Sequence, residues 1–361
     1  MDKIYKINGN KPVGQGQPIY VGLDVHKKSW SVSVYSSQGE YKSFSQPPEA
    51  DKLVNYLKRT FPGSQYYSVY EAGYCGFWIH DQLQQQGVDS MVVNPADVPT
   101  KQKEHQHKRD RIDCRKLARN LCHGEMEGIY IPSPAMREDR TLVRTRYAFV
   151  KKRTRCKNQI KGMLLFYGLH LTDEQAYAPW SADFIKWIEG IRMERDSGNT
   201  ALKAHLEELA YLRQLINKVN QEVLKLARSE EYAVPVKVLK SAPGISTLSA
   251  MILLTELCDM ARFASLDSLC SYVGLIPAIK SSGETEYVRG ITPRRNAYLR
   301  WILIEAAWVA VRKDPAMMMA FNEYCKRMRK NRAIVKIARK LLNRIRYILK
   351  HQTPYAPCVA K

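Results

Sequence analysis

The sequence predicts an α/β domain followed by a mostly helical region, on the basis of three observations. Between residues 19 and 95, short apolar runs with strand periodicity alternate with helical segments. Beyond residue 135, apolar residues recur with helical spacing in longer segments. The tripeptide Pro132-Ser133-Pro134 lies between these two patterns and is typical of a boundary.

The α/β domain is predicted from the order of its elements. Three strands come first, followed by a helix, a strand, a helix and a last strand, at residues 19–25, 30–35, 41–44, 49–57, 66–70, 76–86 and 90–95. Pro47 and Pro48 precede the first helix, and Gly87 ends the second. This order is typical of a ribonuclease-H-like mixed sheet with helices on its faces.

The helical region is predicted to contain a linker and a second globular domain. A long helix at 135–168 carries ten Lys or Arg residues, and a helix at 201–229 has coiled-coil-like spacing. That spacing fits either a hairpin packed within one protomer or a dimerisation arm. The last predicted helix, 324–350, has one apolar face and contains eleven Lys or Arg residues and no acid. The predicted organisation is a flexible leader, a ribonuclease-H-like domain, a helical linker, a C-terminal domain and a tail, at residues 1–18, 19–134, 135–232, 233–350 and 351–361.

The composition indicates a polyanionic partner. The 361 residues include 57 Lys and Arg against 35 Asp and Glu, so that the formal net charge is +22. Such an excess favours nucleic acid or an anionic membrane surface. The sequence contains no apolar stretch near the roughly 20 residues of a membrane span, and its start lacks the apolar segment of a signal peptide. Nucleic acid is therefore the expected partner, and the eight scattered cysteines without a C-x-x-C pair are typical of a cytoplasmic protein.

Four acidic residues are candidates for a metal site. Asp24 lies in the apolar strand 19–25, where an uncompensated carboxylate is costly, and Glu71 ends a later apolar strand. Asp110 and Asp113 are three residues apart and share one face if that segment is helical. Oxygen ligands of this kind suit Mg²⁺, and two such ions can activate an attacking oxygen and stabilise a leaving one at phosphorus. The alternative is that the last two acids only pair with neighbouring arginines on the helix surface.

Cationic side chains in several segments are expected to contact nucleic-acid phosphates, although a charge run is more often a solvated helix face. The turn Pro243-Gly244-Ile245, between two apolar helical segments, looks like a helix-hairpin-helix, in which turn amides bind a backbone phosphate. The predicted nucleic-acid-binding residues are Gly244 and the cations Lys151, Lys152, Arg153, Arg155, Lys280, Arg289, Arg294, Arg295, Arg300, Arg327, Arg329, Lys330 and Arg332.

The sequence Ser-Ser-Gly at residues 281–283 is predicted to lie in a loop, and such a loop is usually only a turn. Here it lies between Lys280 and Arg289, and guanidinium groups can hold a phosphate bidentately. A serine hydroxyl in this position could attack phosphorus and form a phosphoserine intermediate. The sequence has no histidine nearby, so a metal-bound hydroxide or a carboxylate would have to take the proton.

In their order and spacing, these motifs resemble those of DEDD-type insertion-sequence transposases of the one-ten family, which are relatives of Piv-type DNA invertases. The resemblance covers the chain from Tyr20 to about Leu349. The motifs that carry it are Gly22-Leu23-Asp24-Val25-His26-Lys27, Glu71-Ala72-Gly73, Arg109 to Ala118, Pro243-Gly244-Ile245, Gly274-Leu275-Ile276-Pro277, Ser282-Gly283 and Ile291 to Arg300. The departures are Cys114, where the family often has alanine, and Pro293-Arg294-Arg295-Asn296 in place of the commoner Lys-x-Gly-Asn.

The resemblance implies a RuvC-like domain that binds two Mg²⁺ ions, for which Mn²⁺ can substitute. The four acids of such a domain match Asp24, Glu71, Asp110 and Asp113. The resemblance places the nucleophile at Ser282, although the adjacent Ser281 offers the same hydroxyl. It also implies a homodimer or homotetramer in which the two domains, from different protomers, form one active site. Donor and target DNA would be specified by a structured non-coding bridge RNA, in the cytoplasm of a prokaryote and at the nucleoid during the reaction.

The leading interpretation is an RNA-guided, magnesium-dependent serine recombinase that cuts and rejoins DNA during transposition. The first alternative is a RuvC-like nuclease or Holliday-junction resolvase, in which metal-bound water attacks. A non-catalytic nucleic-acid-binding protein would use only the basic helices. An actin-like sugar kinase, whose fold also opens with strand-Gly-x-Asp, is disfavoured by the net charge and by the lack of glycine-rich phosphate loops in the sequence.

Overall fold

The contacts between residues divide the chain into two units, residues 1–131 and 132–361. A computed structural model describes residues 16–99, 110–170, 178–282 and 285–357, without the side chains of 110, 111, 279–282 and 285–289. Most of the predicted leader and the end of the predicted tail lie outside the described residues. The helices predicted as a linker at 135–232 belong to the second unit.

The first unit is built on a mixed sheet of five strands, which confirms the type of sheet that the sequence predicts. Strands β1 to β5 are Ile19–Val25, Trp30–Ser36, Gly39–Gln46, Tyr66–Glu71 and Val88–Val93. Their order across the sheet is β3-β2-β1-β4-β5. The pairs β3-β2 and β2-β1 are antiparallel, whereas β1-β4 and β4-β5 are parallel. The central strand β1 buries Ile19, Val21 and Leu23 completely, because its alternate residues point into an apolar core.

Helices cover both faces of this sheet. Helices α1 (Ala50–Thr60) and α2 (Trp78–Gln85) form one apolar core with the buried residues of β1. Helix α3 (Asp110–Cys122) packs against the other face of β1. A Cβ atom added at Gly22 would lie 2.0 Å from the carbonyl oxygen of Cys114 in α3. The absence of a side chain at Gly22 therefore allows α3 to pack directly on the central strand.

The second unit is mostly helical, as the sequence predicts. Helices α4 to α12 are Pro134–Phe166, Ala182–Gly190, Asp196–Leu226, Glu230–Leu239, Thr247–Leu257, Leu266–Val273, Ala297–Lys313, Pro315–Arg327 and Lys330–His351. Strands β6 (Pro277–Ser282) and β7 (Thr285–Ile291) form an antiparallel pair between α9 and α10. Among the described helices, none is both long and apolar enough to cross a membrane.

The coiled-coil-like stripe of α6 packs within the chain. Arg146 Nε of α4 donates to Asn220 Oδ1 at 2.8 Å, and the Cys156 thiol donates to the His205 carbonyl at 3.4 Å. Since later residues of α4 contact earlier residues of α6, the two helices are antiparallel. The leucines on the inner face of α6 share one apolar cluster with the end of α4 and with α5. This is the hairpin within one protomer that the sequence left as one of two alternatives.

The basic segment at 324–350 is not one helix, so the prediction of a single last helix was wrong. Helix α11 ends at Arg327, Met328 is extended with φ −152° and ψ 162°, and α12 begins at Lys330. The sequence has neither proline nor glycine at this point to indicate the break. The break turns the chain so that Phe321 of α11 and Ile337 of α12 both face the core.

The segment around Ser282 forms a β-hairpin rather than the predicted loop. In the register of the hairpin, Ser282 pairs with Thr285 and Ser281 pairs with Glu286. The strands are short and polar near the turn, so that the period-two apolar pattern of a strand is missing from the sequence. Ser282 is thereby the last residue of β6, at the turn of the hairpin.

Candidate active site

Asp24 and Glu71 are neighbours at the carboxyl ends of two central strands. Leu23 of β1 pairs with Tyr70 of β4 in parallel register, and Asp24 and Glu71 are the next residues of these strands. Because side chains alternate along a strand, Asp24 points to the same face as Gly22, which α3 covers. The side chain of Asp24 is 22% exposed and that of Glu71 is 34% exposed, so that both remain accessible to solvent.

Helix α3 brings a third carboxylate to this edge of the sheet. Asp113 is 26% exposed and directly precedes Cys114, whose carbonyl lies against Gly22. Burial raises the pKa of the Cys114 thiol to about 12, and the negative charge of the nearby Asp24 adds to this effect. Asp110 begins α3 one helical turn before Asp113, but its side chain lies outside the described part of the chain.

Lys116 lies between two of these acids and was missed by the sequence prediction. Its Nζ is 3.4 Å from Asp113 Oδ1 and 3.8 Å from Glu71 Oε1, and its side chain is only 8% exposed. A nearly buried ammonium group thus holds two carboxylates of different elements around one positive charge. The signal for a buried Lys116 in the sequence was its position close to apolar residues of α3, such as Cys114 and Leu117, which the structure buries.

The donor atoms at this edge suit a hard cation. All three described acids offer carboxylate oxygens, and Glu71 and Asp113 already surround the cationic group of Lys116. Within the described side chains, however, no group of three carboxylate, imidazole or thiol side chains is positioned to hold a metal ion. His26 Nε2 is 3.3 Å from Asp24 Oδ2 and is a further polar group at this edge. The magnesium site stays a prediction.

Arg300 holds the base of the hairpin that carries Ser282. Its Nη1 donates to the carbonyls of Gly274 and Thr292, at 2.9 and 2.8 Å, and these residues flank the two strands. Burial lowers the pKa of Arg300, and the positive charge of Arg295 contributes. Arg300 was predicted to bind phosphate. Its hydrogen bonds to backbone carbonyls show that it also joins the two ends of the hairpin.

A buried ion pair supports the helix that follows the hairpin. Glu256 of α8 is 1% exposed and accepts from Arg144 Nε and Nη2 at 2.6 and 2.8 Å. It also accepts from Asn296 Nδ2 at 2.7 Å, while Asn296 Oδ1 caps the first turn of α10. Burial opposes ionisation of Glu256, but the hydrogen bonds and charge of Arg144 outweigh it and lower the pKa. Sequence reasoning missed Glu256, although an acid in the apolar run Met251–Leu257 is the same signal that identified Asp24.

The other predicted phosphate contacts are distributed over the second unit. Exposed side chains among them are Lys151, Lys152, Arg155, Arg294, Arg295, Arg327, Arg329, Lys330 and Arg332, and Arg153 is half-buried. Lys280 and Arg289 lie on β6 and β7, and their side chains lie outside the described part. Gly244 has φ +79° and lies in the turn between α7 and α8, where an added Cβ would be 2.7 Å from Ala306 Cα of α10. Phosphate binding by these residues stays a prediction.

Comparisons with known proteins agree with the motifs in both units. A family model described as "Transposase" matches residues 21–168, and one described as "Transposase IS116/IS110/IS902 family" matches residues 236–322. The protein y4rJ of Sinorhizobium fredii is 29% identical over 90% of this chain and 90% of its own length. The transposase for insertion sequence element IS1533 of Leptospira borgpetersenii is 24% identical over 80% of this chain and 84% of its own. From these matches and the motifs, we conclude that the chain belongs to the IS116/IS110/IS902 family of transposases.

Proposed function

We propose that this transposase cuts and rejoins DNA with a serine nucleophile and a magnesium-dependent acid site in a RuvC-like domain, and that a structured RNA guides it. As a transposase it acts on DNA. The observation that carries the proposal is that Asp24, Glu71 and Asp113 meet at one edge of the sheet. Partly exposed carboxylates gathered in a chain of net charge +22 are typical of enzymes that act on phosphodiesters.

The acid site would hold the metal through carboxylates of three elements. Asp24 and Glu71 end neighbouring parallel strands, and Asp113 follows Asp110 by one turn of α3. Bound there, Mg²⁺ would supply positive charge to the attacking and leaving oxygens of the reaction. Before the metal binds, the ammonium group of Lys116 balances the charges of Glu71 and Asp113, and a bound metal ion would compete with it for these carboxylates. The strand order β3-β2-β1-β4-β5 supports the assignment of a RuvC-like sheet.

In the proposed reaction the hydroxyl of Ser282 attacks the scissile phosphorus. A bond forms between the serine oxygen and phosphorus, and the bond from phosphorus to one deoxyribose oxygen breaks. The serine proton passes to a carboxylate of the acid site, and the released sugar oxygen takes up a proton. When the sugar hydroxyl of another strand attacks the phosphoserine, a phosphodiester forms again and Ser282 is released. The acids and Ser282 must therefore meet at one phosphate, within one chain or between subunits of a dimer or tetramer.

A groove at the base of the hairpin that carries Ser282 supports DNA binding by the second unit. This cavity of about 770 Å³ lies between the base of the hairpin and helices α11 and α12. Pro277 and Ile291 contribute apolar surface, while Arg327, Arg332 and Lys340 contribute positive charge. Such a combination binds the sugar-phosphate backbone without reading the bases. The guide RNA is proposed from the family resemblance.

The variant Ser282→Ala tests the nucleophile. It is expected to bind DNA with unchanged affinity but to form no covalent protein–DNA adduct under denaturing conditions, because its side chain lacks the attacking oxygen. Ser281→Ala is the matched control and is expected to form the adduct. Recombination of a plasmid substrate by Ser282→Ala would exclude the serine mechanism. Omission of the RNA encoded beside the element tests the guide, and undiminished site-specific recombination without it would contradict that part of the proposal.

A metal-dependent nuclease is the second candidate, because the three described acids of the candidate metal site, Asp24, Glu71 and Asp113, all lie in the first unit. It predicts that Ser282→Ala still cleaves DNA and that an adduct never forms. Both candidates predict that Asp24→Asn abolishes turnover while the variant keeps the circular dichroism spectrum of the parent protein. Turnover by Asp24→Asn at saturating Mg²⁺ would contradict both.

A further inference from the structure

A groove with aromatic and cationic walls lies where α10 meets α4. It is an open surface groove with a volume of about 640 Å³. Tyr147, Lys151, Arg155 and Asn158 follow one another at spacings of three or four residues and share one face of α4. Trp301 of α10 forms the opposite wall. Both helices belong to the second unit.

The aromatic part of this groove is an exposed but well-supported indole. Trp301 is 49% exposed, which is unusual for so large an apolar side chain. The Tyr147 ring contacts it edge-on, with ring centroids 5.9 Å apart and planes at 61°. Tyr147 is itself held by Tyr298, at 4.7 Å and 65°. Rings that support one another in this way form a rigid stacking surface.

The polar part of the groove complements a nucleotide. The Lys151 ammonium lies 4.7 Å from the centroid of the Tyr147 ring, and Arg155 is one helical turn further along. Both are exposed, and neither forms an ion pair with a described carboxylate. Next to them, Asn158 and Gln159 present amides, which carry a donor and an acceptor together and can pair with the edge of a base.

We propose that this groove binds an unpaired nucleotide, with its base stacked on Trp301, its phosphate at Lys151 and Arg155, and its base edge at Asn158 or Gln159. A duplex hides the faces of its bases, so an exposed ring with adjacent cations is suited to a single strand. The inference rests on the proposed function, in which both DNA opened for strand exchange and a guide RNA expose unpaired bases. A second copy of this chain is a weaker candidate for the groove, because its +22 charge would oppose the cationic walls.

The test measures the binding of fluorescent oligonucleotides of about 12 nucleotides, as single-stranded DNA, single-stranded RNA and duplex DNA of the same sequence. Fluorescence anisotropy is recorded in EDTA with the Ser282→Ala chain, which cannot cut in the proposed mechanism. Trp301→Ala is expected to weaken single-strand binding about tenfold, to leave duplex binding unchanged and to leave the salt dependence unchanged. Trp301→Phe is expected to retain most of the affinity. Trp78→Ala, which removes an indole that is 41% exposed in the first unit, is the matched control and is expected to have no effect.

Lys151→Gln separates the phosphate contact from stacking. It is expected to weaken the binding of single strands and to reduce the slope of log affinity against log salt by about 0.7, because one phosphate contact is lost. In the unmodified chain, photo-crosslinking with 5-iodouridine is expected to label Tyr147 or Trp301, which keeps the test valid if Trp301→Ala does not fold. The single strand with the higher affinity, DNA or RNA, identifies the source of the nucleotide.

The inference is overturned if Trp301→Ala binds single strands as tightly as the parent chain or loses affinity equally for single strands and duplex. It is also overturned if crosslinks map elsewhere, or if light scattering shows that Trp301→Ala changes the subunit number, since the indole would then belong to a protein interface. The serine mechanism can fail in the adduct experiment while this binding persists. Conversely, loss of the stacking site leaves the test of Ser282 as an adduct-forming residue unaffected.

Discussion

Replacing Gly22 with alanine tests how the acid site is held together. The new Cβ would lie 2.0 Å from the Cys114 carbonyl oxygen, whereas ordinary van der Waals contact begins near 3.4 Å. Helix α3 would therefore have to move away from β1 by about 1.4 Å. Because α3 carries Asp113, its carboxylate would move away from Asp24 and Glu71.

The expected consequences of Gly22→Ala are large for activity and moderate for stability. Forcing an extra methyl group into a packed contact costs about 1–3 kcal/mol of the free energy of unfolding. A displacement of about 1 Å at a catalytic group costs about 100-fold in rate. Urea denaturation measures the first effect, and the rate of strand exchange over a Mg²⁺ titration measures the second.

Gly162→Ala is the matched control for this substitution. A Cβ at Gly162 meets nothing within 4 Å, and the residue lies inside α4 without positive φ. The same change is therefore expected to stabilise the protein by about 0.5–1 kcal/mol and to leave its dependence on Mg²⁺ unchanged. The direct packing of α3 on β1 is refuted if Gly22→Ala has the denaturation midpoint and the Mg²⁺ dependence of the parent protein.

Three further predictions concern buried charges. Lys116→Met is expected to raise the affinity for Mg²⁺ about tenfold, because a positive charge 3.4 Å from Asp113 is removed. Isothermal titration calorimetry without DNA measures this affinity. Weaker binding by the variant would show that Lys116 supports the metal site instead of competing with the metal. Arg144→Met is expected to destabilise the protein by about 2 kcal/mol, less than the 3–5 kcal/mol of a fully buried pair because Arg144 is 43% exposed. The lowered pKa of Glu256 means that its stabilisation is complete above its ordinary pKa of 4.5 and is lost as the pH falls through the folded-state value. Glu256→Gln is accordingly expected to flatten the loss of stability in acid, and an unchanged pH profile of the unfolding temperature would contradict this.

The α/β unit was predicted well because its signals are local. The apolar alternation of β1 and the acid inside it lie within seven residues, and short connections place β1, β2 and β3 side by side. The same local logic identified Asp24 and Glu71, which the register of β1 and β4 makes neighbours. By contrast, the predicted helix at 324–350 was wrong, since the turn at Met328 has no local signal.

Contacts between distant residues explain what sequence reasoning missed. The three carboxylates come from β1, β4 and α3, and the buried position of Lys116 between two of them depends on how α3 lies on the sheet. Arg144 and Glu256 are 112 residues apart and belong to helices whose pairing no local pattern specifies. The contact between Tyr147 of α4 and Trp301 of α10 likewise depends on the packing of these two helices, and no local pattern in the sequence indicates it.

The amino-acid sequence alone determined the basic character of the chain, the order of strands and helices in the first unit, and the acids expected at strand ends. These properties depend on composition or on residues close to one another in the chain, where periodicity and turn chemistry act. Only the tertiary structure decided that α3 rests on Gly22, that Lys116 joins two carboxylates, and that Ser282 ends a strand of a hairpin. Those features depend on how separate elements pack against one another. That packing is determined by contacts throughout the core and not by the residues of any one segment.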